Sequence, residues 1–148
     1  MPKPSLTLVR RLKAPPARVF AAFTRPDLIV QWWGPDAGPA LEAEADVRVG
    51  GRFRMVFKTA DGERHEMGGV YRVIEPDRRL VYTHQWVSFP ERESLVTIDF
   101  LPIPEGTELT LVHEQLHDEA VRDAHVQGWS TMLDKLPPLL ASLAENAV

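Results

Sequence analysis

A chain of 148 residues, 44% of them apolar and 26% charged, is long enough to bury a core without staples and reads as one domain over residues 1–148. Its net charge of -4 argues against a nucleic-acid partner, which needs a basic face, and no apolar run reaches the roughly 20 residues that cross a bilayer. With no cysteine there is no disulfide or thiolate chemistry, and with no apolar leader after Met1-Pro2-Lys3-Pro4 the expected setting is the cytoplasm.

Residues 5–13 alternate Leu6 and Leu8 against Thr7 and Val9 and close on Arg10 and Arg11, which predicts a strand. Pro15-Pro16 starts a helix, because proline's fixed φ and missing N–H suit the first helical position. Val19, Phe20 and Phe23 recur at helical spacing through Thr24. Pro26 opens a second short helix with Leu28, Ile29, Trp32 and Trp33 on its apolar side, and Gly34-Pro35 stops it.

The middle of the chain is strand and turn. Residues 41–49 alternate, Gly50-Gly51 signals a turn or bulge, and Phe53, Met55 and Phe57 then alternate with Arg52, Arg54 and Lys58. Asp61-Gly62 is a hairpin turn. His65, Met67, Gly69, Tyr71 and Val73 share one face of the next strand, and a turn at residues 75–78 leads to Leu80, Tyr82, His84 and Trp86. A looser loop around Pro90 precedes Val96, Ile98 and Phe100; after the turn at 102–106, Leu109, Leu111 and His113 occupy one face. Seven strands joined mainly by hairpins predict an antiparallel meander.

Asp118 is a helix N-cap, with Glu119 in the first turn where the helix dipole favours negative charge. Val121, His125, Trp129, Met132 and Leu136 form one apolar stripe, and a helix over 118–136 would span about 28 Å. Pro137-Pro138 should kink or break it, leaving Leu139, Leu140 and Leu143 a further turn or two.

The order strand, two short helices, six strands, long helix resembles the helix-grip (START-like, SRPBCC) superfamily. Within it, local phrases look like single-domain proteins related to the C-terminal domain of the Hsp90 ATPase activator. They are Ala14-Pro15-Pro16-Ala17-Arg18-Val19-Phe20, Gln31-Trp32-Trp33-Gly34-Pro35, Gly50-Gly51-Arg52-Phe53, Gly69-Val70-Tyr71, Arg79-Leu80-Val81-Tyr82-Thr83, Gly106-Thr107-Glu108-Leu109-Thr110-Leu111 and His125-Val126-Gln127-Gly128-Trp129. The ordered set carries the resemblance; no single phrase does.

The resemblance implies an α+β, helix-grip (START-like) fold: a seven-stranded antiparallel curved sheet with two short N-terminal helices and a long C-terminal helix across its concave face. It also implies a ligand cavity between sheet and helix. Relatives range over lipid and hormone carriers, polyketide aromatases and cyclases, and co-chaperones, so function does not follow from fold alone. The first reading is a binding protein for a small apolar or amphipathic molecule. The alternatives are a cyclase-like enzyme and a protein that associates with an Hsp90-type chaperone. No cofactor is expected, no membrane insertion, and a monomer or a homodimer formed through an edge strand.

If the apolar alternation marks the inward face, the turn at 75–78 pairs Val73 with Leu80, Tyr71 with Tyr82, Gly69 with His84 and Met67 with Trp86. The turn at Gly106 pairs Phe100 with Leu109, Ile98 with Leu111 and Val96 with His113. Gly69 then leaves room beside the His84 imidazole. His84 and His113 stand two strands, or about 10 Å, apart, which speaks against a metal site. Either is a candidate general acid or base, since a cavity imidazole titrates near neutrality, with Tyr82, Tyr71 or water holding the partner proton. His65 lies near a strand end, Glu114 points outward, and Arg52 and Arg54 point outward unless a bulge at Gly50-Gly51 reverses them. The residues expected to line the cavity are Trp32, Phe53, Met55, Met67, Tyr71, Tyr82, His84, Trp86, Ile98, Leu111, His113, His125, Trp129 and Met132. Trp33 is read as core.

Overall fold

Period-two alternation builds most of this molecule. The computed structural model describes residues 3–34 and 40–145. Met1, Pro2 and the expected stop at Pro35 lie outside the described residues. Seven strands form one antiparallel sheet: β1 (Leu6–Leu12), β2 (Glu42–Ala45), β3 (Arg52–Lys58), β4 (Arg64–Glu75), β5 (Arg79–Trp86), β6 (Phe89–Ile103) and β7 (Gly106–Glu114). Their spatial order is β1-β7-β6-β5-β4-β3-β2, so β2 to β7 is a meander and β1 joins it on the far side of β7. Helices α1 (Pro16–Thr24) and α2 (Pro26–Trp32) follow β1, and α3 (Glu119–Leu133) and α4 (Leu136–Glu145) close the chain. Among the described residues no helix is long and apolar enough to cross a membrane.

One face of the sheet carries the core. On β7, Thr107, Leu109, Leu111 and His113 are buried in strict alternation, and Val96, Ile98 and Phe100 do the same on β6. Prolines open α1 and α2, where a missing N–H costs no ladder bond. The two helices seal one end of this core. Phe23 meets Phe100 and Trp32 edge-on, and the Trp32 indole N–H donates to Ala22 O at 2.9 Å.

The Gly106 turn sets the predicted register, with Phe100 opposite Leu109, Ile98 opposite Leu111 and Val96 opposite His113. Between β4 and β5 the pairs Met67–Trp86 and Tyr71–Tyr82 also form. Val73, however, faces Val81 and Ile74 faces Leu80, because a bulge follows Tyr71. The expected room between Gly69 and the His84 ring does not exist: the space a Cβ would need at Gly69 is filled by the Thr83 carbonyl.

Three boundaries differ from the sequence reading. β2 is only four residues long, because the chain turns at 46–51, where Gly50 N donates to Tyr71 O and Tyr71 N to Gly51 O. The expected loop around Pro90 is part of β6. There Trp86 pairs with Phe89 and His84 with Ser94, so Pro90 to Glu93 bulge opposite Gln85, whose side-chain amide donates to Pro90 O. A bulge is where a strand tolerates proline's missing donor.

The C-terminal helical segment divides at Asp134-Lys135, before the prolines rather than at them. Pro137 and Pro138 instead occupy the first turn of α4, where their N–H groups would have no helical partner, and α4 runs for ten residues. Asp118 caps α3 as expected, its carboxylate accepting from Val121 N at 2.8 Å. Replacing Asp118 by alanine is expected to lower unfolding stability by about 1 kcal/mol in urea titration.

Candidate functional site

Small residues at Ala124 and Gly128, one turn apart on α3, leave space beneath the helix. The result is a cavity of about 160 Å³. It is lined by Trp33 after α2, Phe57 on β3, His84 and Trp86 on β5, and Ala124, His125, Gly128, Trp129 and Met132 on α3. Trp33 meets Trp129 edge-on at 5.5 Å between ring centres, and Phe57 meets Trp86 at 5.8 Å. Beyond Phe57 and Trp86 lies a second apolar hollow of about 270 Å³, reaching Thr59, His65, Ser88 and Phe89.

Three imidazoles gather at this cavity. The His84 and His113 rings are 4.8 Å apart between centres, and His125 stands 5.5 Å from His84 and 5.0 Å from His113. Hydrogen bonds assign the tautomers of two of them. The Ser94 hydroxyl donates to His84 O at 3.2 Å, so its oxygen accepts from His113 Nε2–H at 2.7 Å. That leaves His113 Nδ1 to accept from the Trp129 indole N–H at 3.0 Å. His125 is arranged the other way round. Its Nδ1–H donates to Val121 O at 2.8 Å, and its Nε2 accepts from the Trp86 indole at 3.3 Å. Among the described residues the His84 ring bonds no other side chain.

Burial holds all three rings neutral. It is the main cause that lowers His84 to about 3, with His125 adding a repulsive charge. It also pushes His113 well below the usual histidine value, helped by His84 and His125, and lowers His125. The expectation of an imidazole titrating near neutrality is therefore corrected. His113 has both nitrogens committed, and His84 is held unprotonated by the loss of water around it. Tyr82 and Tyr71 hold no proton for either ring. Both pack with Phe53, the Tyr82 hydroxyl is buried with no hydrogen-bond partner among the described residues, and burial raises both phenols.

Of the residues expected to line the cavity, the structure brings His84, Trp86, His125, Trp129 and Met132 to it. His113 sits behind, bonded to Trp129. Trp32, Phe53, Met55, Met67, Tyr71, Tyr82, Ile98 and Leu111 are buried in the core and take no part in the lining.

Trp33 is buried in the core, as expected, and its indole also walls the cavity. α2 ends at Trp32, and the extended backbone of Trp33 swings its indole toward α3 while Trp32 stays inside. Phe57 was missed as lining, although its alternation with Phe53 and Met55 marks it as inward at the end of β3.

Arg52 and Arg54 do point outward. Arg54 pairs with Glu66 at 2.9 Å and reaches Glu42 at 3.6 Å. A larger hollow of about 630 Å³ opens there, over Gly68 and Gly69, with Arg54 paired to Glu66 and Glu44 at its edge and no histidine in its lining. Glu114 is on the sheet face opposite His113.

A family described as Activator of Hsp90 ATPase homolog 1-like protein matches residues 13–141. A crystal structure from Chromobacterium violaceum is 31% identical, with a TM-score of 0.82 over 92% of this chain and 96% of that one. Another, from Nitrosomonas europaea, is 25% identical with a TM-score of 0.82 over 97% of each chain. The solution structure of an AHSA1-like protein from Aeromonas hydrophila shares the fold at 19% identity, with a TM-score of 0.78 over 95% of this chain and 94% of that one. No curated protein matches.

Proposed function

The chain belongs to the Activator of Hsp90 ATPase homolog 1-like family, and we propose that it binds a small, largely apolar molecule of single-ring size beneath α3. The observation that carries this reading is a cavity of about 160 Å³ walled by the indoles of Trp33, Trp86 and Trp129, with one imidazole in its lining, His84, that bonds no other side chain among the described residues. A cavity of roughly 150 Å³ lined by apolar side chains admits benzene, whereas drug-sized ligands need about 300 Å³ or more. A phenol or a short-chain acid fits the size and the single polar group. The cytoplasmic setting expected from the sequence is part of this proposal.

Titration with phenol, indole and butyrate, followed by tryptophan fluorescence and calorimetry, tests it. At least one is expected to give a saturable signal at one molecule per chain. Ala124→Leu, which fills the cavity from an exposed helix position, is expected to weaken that binding at least tenfold with an unchanged circular dichroism spectrum. No saturable response to any of the three, or equal affinity in Ala124→Leu, would sink the reading.

A further inference from the structure

Placed two strands apart in one row of the sheet, His84 and His113 would stand about 10 Å from each other, too far to share a metal. The row itself is different: His84 lies opposite Ser94, while Val96 lies opposite both Tyr82 and His113. From those offset positions the His84 and His113 side chains lean together, and α3 adds a third ring. We propose that His84, His113 and His125 form a site for a zinc-type divalent transition metal, opening into the cavity.

One ring nitrogen from each histidine lies within 4.8 Å of the other two. An ion equidistant from the corners of such a triangle stands about 2.8 Å from each, against zinc–nitrogen bonds of about 2.0–2.1 Å. Closing that gap moves each ring by about 0.7 Å, which small side-chain torsions accomplish.

The hydrogen bonds already present suit ligation. Histidines that bind metals commonly give their second ring N–H to a fixed acceptor, which sets the tautomer and orients the ring. His125 does so to Val121 O, keeping Nε2 as the electron-pair donor, and His113 does so to Ser94, keeping Nδ1. The Trp86 and Trp129 indoles point their N–H groups at these two lone pairs. A hydrogen bond between neutral groups is far weaker than metal coordination, so an ion displaces both indoles. His84 has no such partner to lose.

Neutral imidazole is the ligating form, and burial keeps all three rings in it. His84 and His125 line the cavity, so a fourth tetrahedral position faces it; three protein ligands and one open position mark a reactive zinc centre rather than a structural one. An all-nitrogen set excludes magnesium and calcium, which require oxygen ligands.

Protein stripped with a chelator is titrated with zinc and cobalt(II) chlorides at pH 7.5. Calorimetry is expected to show one zinc per chain with a dissociation constant below about 10 µM, and no binding of magnesium. Cobalt(II) is expected to give the intense visible bands of tetrahedral coordination. Tryptophan fluorescence should change at the same stoichiometry, as Trp86 and Trp129 lose their acceptors. His125→Gln, on a half-buried helix face, and His84→Gln are each expected to weaken zinc at least tenfold while keeping the circular dichroism spectrum.

His117→Gln alters an exposed histidine apart from the cluster and is expected to leave the affinity unchanged. The site is overturned by the absence of saturable zinc binding, or by weak octahedral cobalt bands. It is equally overturned by an affinity that His117→Gln lowers and folded His125→Gln does not. Any of these results leaves the organic-ligand proposal standing, since that is read from phenol, indole and butyrate without metal.

Discussion

Alanine at position 69 is expected to cost the protein more than about 3 kcal/mol, above the usual range for an overpacked core. A Cβ there would overlap the Thr83 carbonyl oxygen, lie 2.7 Å from the Thr83 carbonyl carbon and lie 3.0 Å from Phe53 Cζ. The main obstacle is backbone, which has no rotamer to adopt. Relief would require β4 to part from β5 between two anchored pairs, Met67–Trp86 and Tyr71–Tyr82. It would also strain the bond from Val70 N to Thr83 Oγ1, which is 2.8 Å long. Gly62→Ala is the comparison, because a Cβ there meets nothing within 4 Å and only its φ of 85° opposes the change. That variant is expected to lose about 1 kcal/mol. Urea unfolding of the two variants checks the contrast, and equal midpoints would mean that β4 and β5 can separate locally.

The same region shows where sequence reading succeeds and where it stops. At the β6–β7 hairpin a tight glycine turn and uninterrupted alternation left one register, and all three predicted pairs form. At β4–β5 the flanking pairs were legible, but the bulge beside Arg72 has no local signature, and opposite Gln85 in the β5–β6 pairing Pro90 marked an irregularity that reads equally as a loop or a bulge. Each moves the pairing beyond it, which is why Val73 and His84 acquired different partners. Both Trp32 and Trp33 are core, but the indole that also reaches the cavity is Trp33, because a single residue at a helix end decides which ring leaves the helical face.

The stripe of His125, Trp129 and Met132 was readable from helical spacing, and Asp118 from its capping chemistry. How that stripe docks on the sheet was not readable, since docking depends on shapes from distant parts of the chain. The histidine cluster was missed for this reason. It needs the β5–β6 register and the seating of α3 together, and either alone leaves at most two rings near each other.

Lowering the pH from 7.5 to 5 is expected to destabilise the protein, by roughly 2 kcal/mol through His84 alone. A base whose pKa is lowered by folding binds more protons when unfolded. Stability therefore rises with pH between the folded value, about 3 for His84, and the unfolded value near 6.5. It falls as acid is added through that window. His113 and His125 are also lowered and add in the same direction, and each imidazole contributes up to about 1.4 kcal/mol per pH unit. The three contributions do not simply sum, because one charged ring in this cluster raises the cost of the next.

Hydrogen bonds from Thr59 to Asp61 and from Arg54 to Glu66 hold these two carboxylates below their ordinary range, so the stabilisation they supply is lost only in more acidic solution. Unfolding free energies from urea titration at pH 7.5, 6.5, 5.5 and 5 measure the slope, and His84→Gln is expected to flatten it by about one proton. A slope unchanged in that variant would mean that water reaches the ring beneath α3, and the dry wall on which both proposed binding sites depend would be absent.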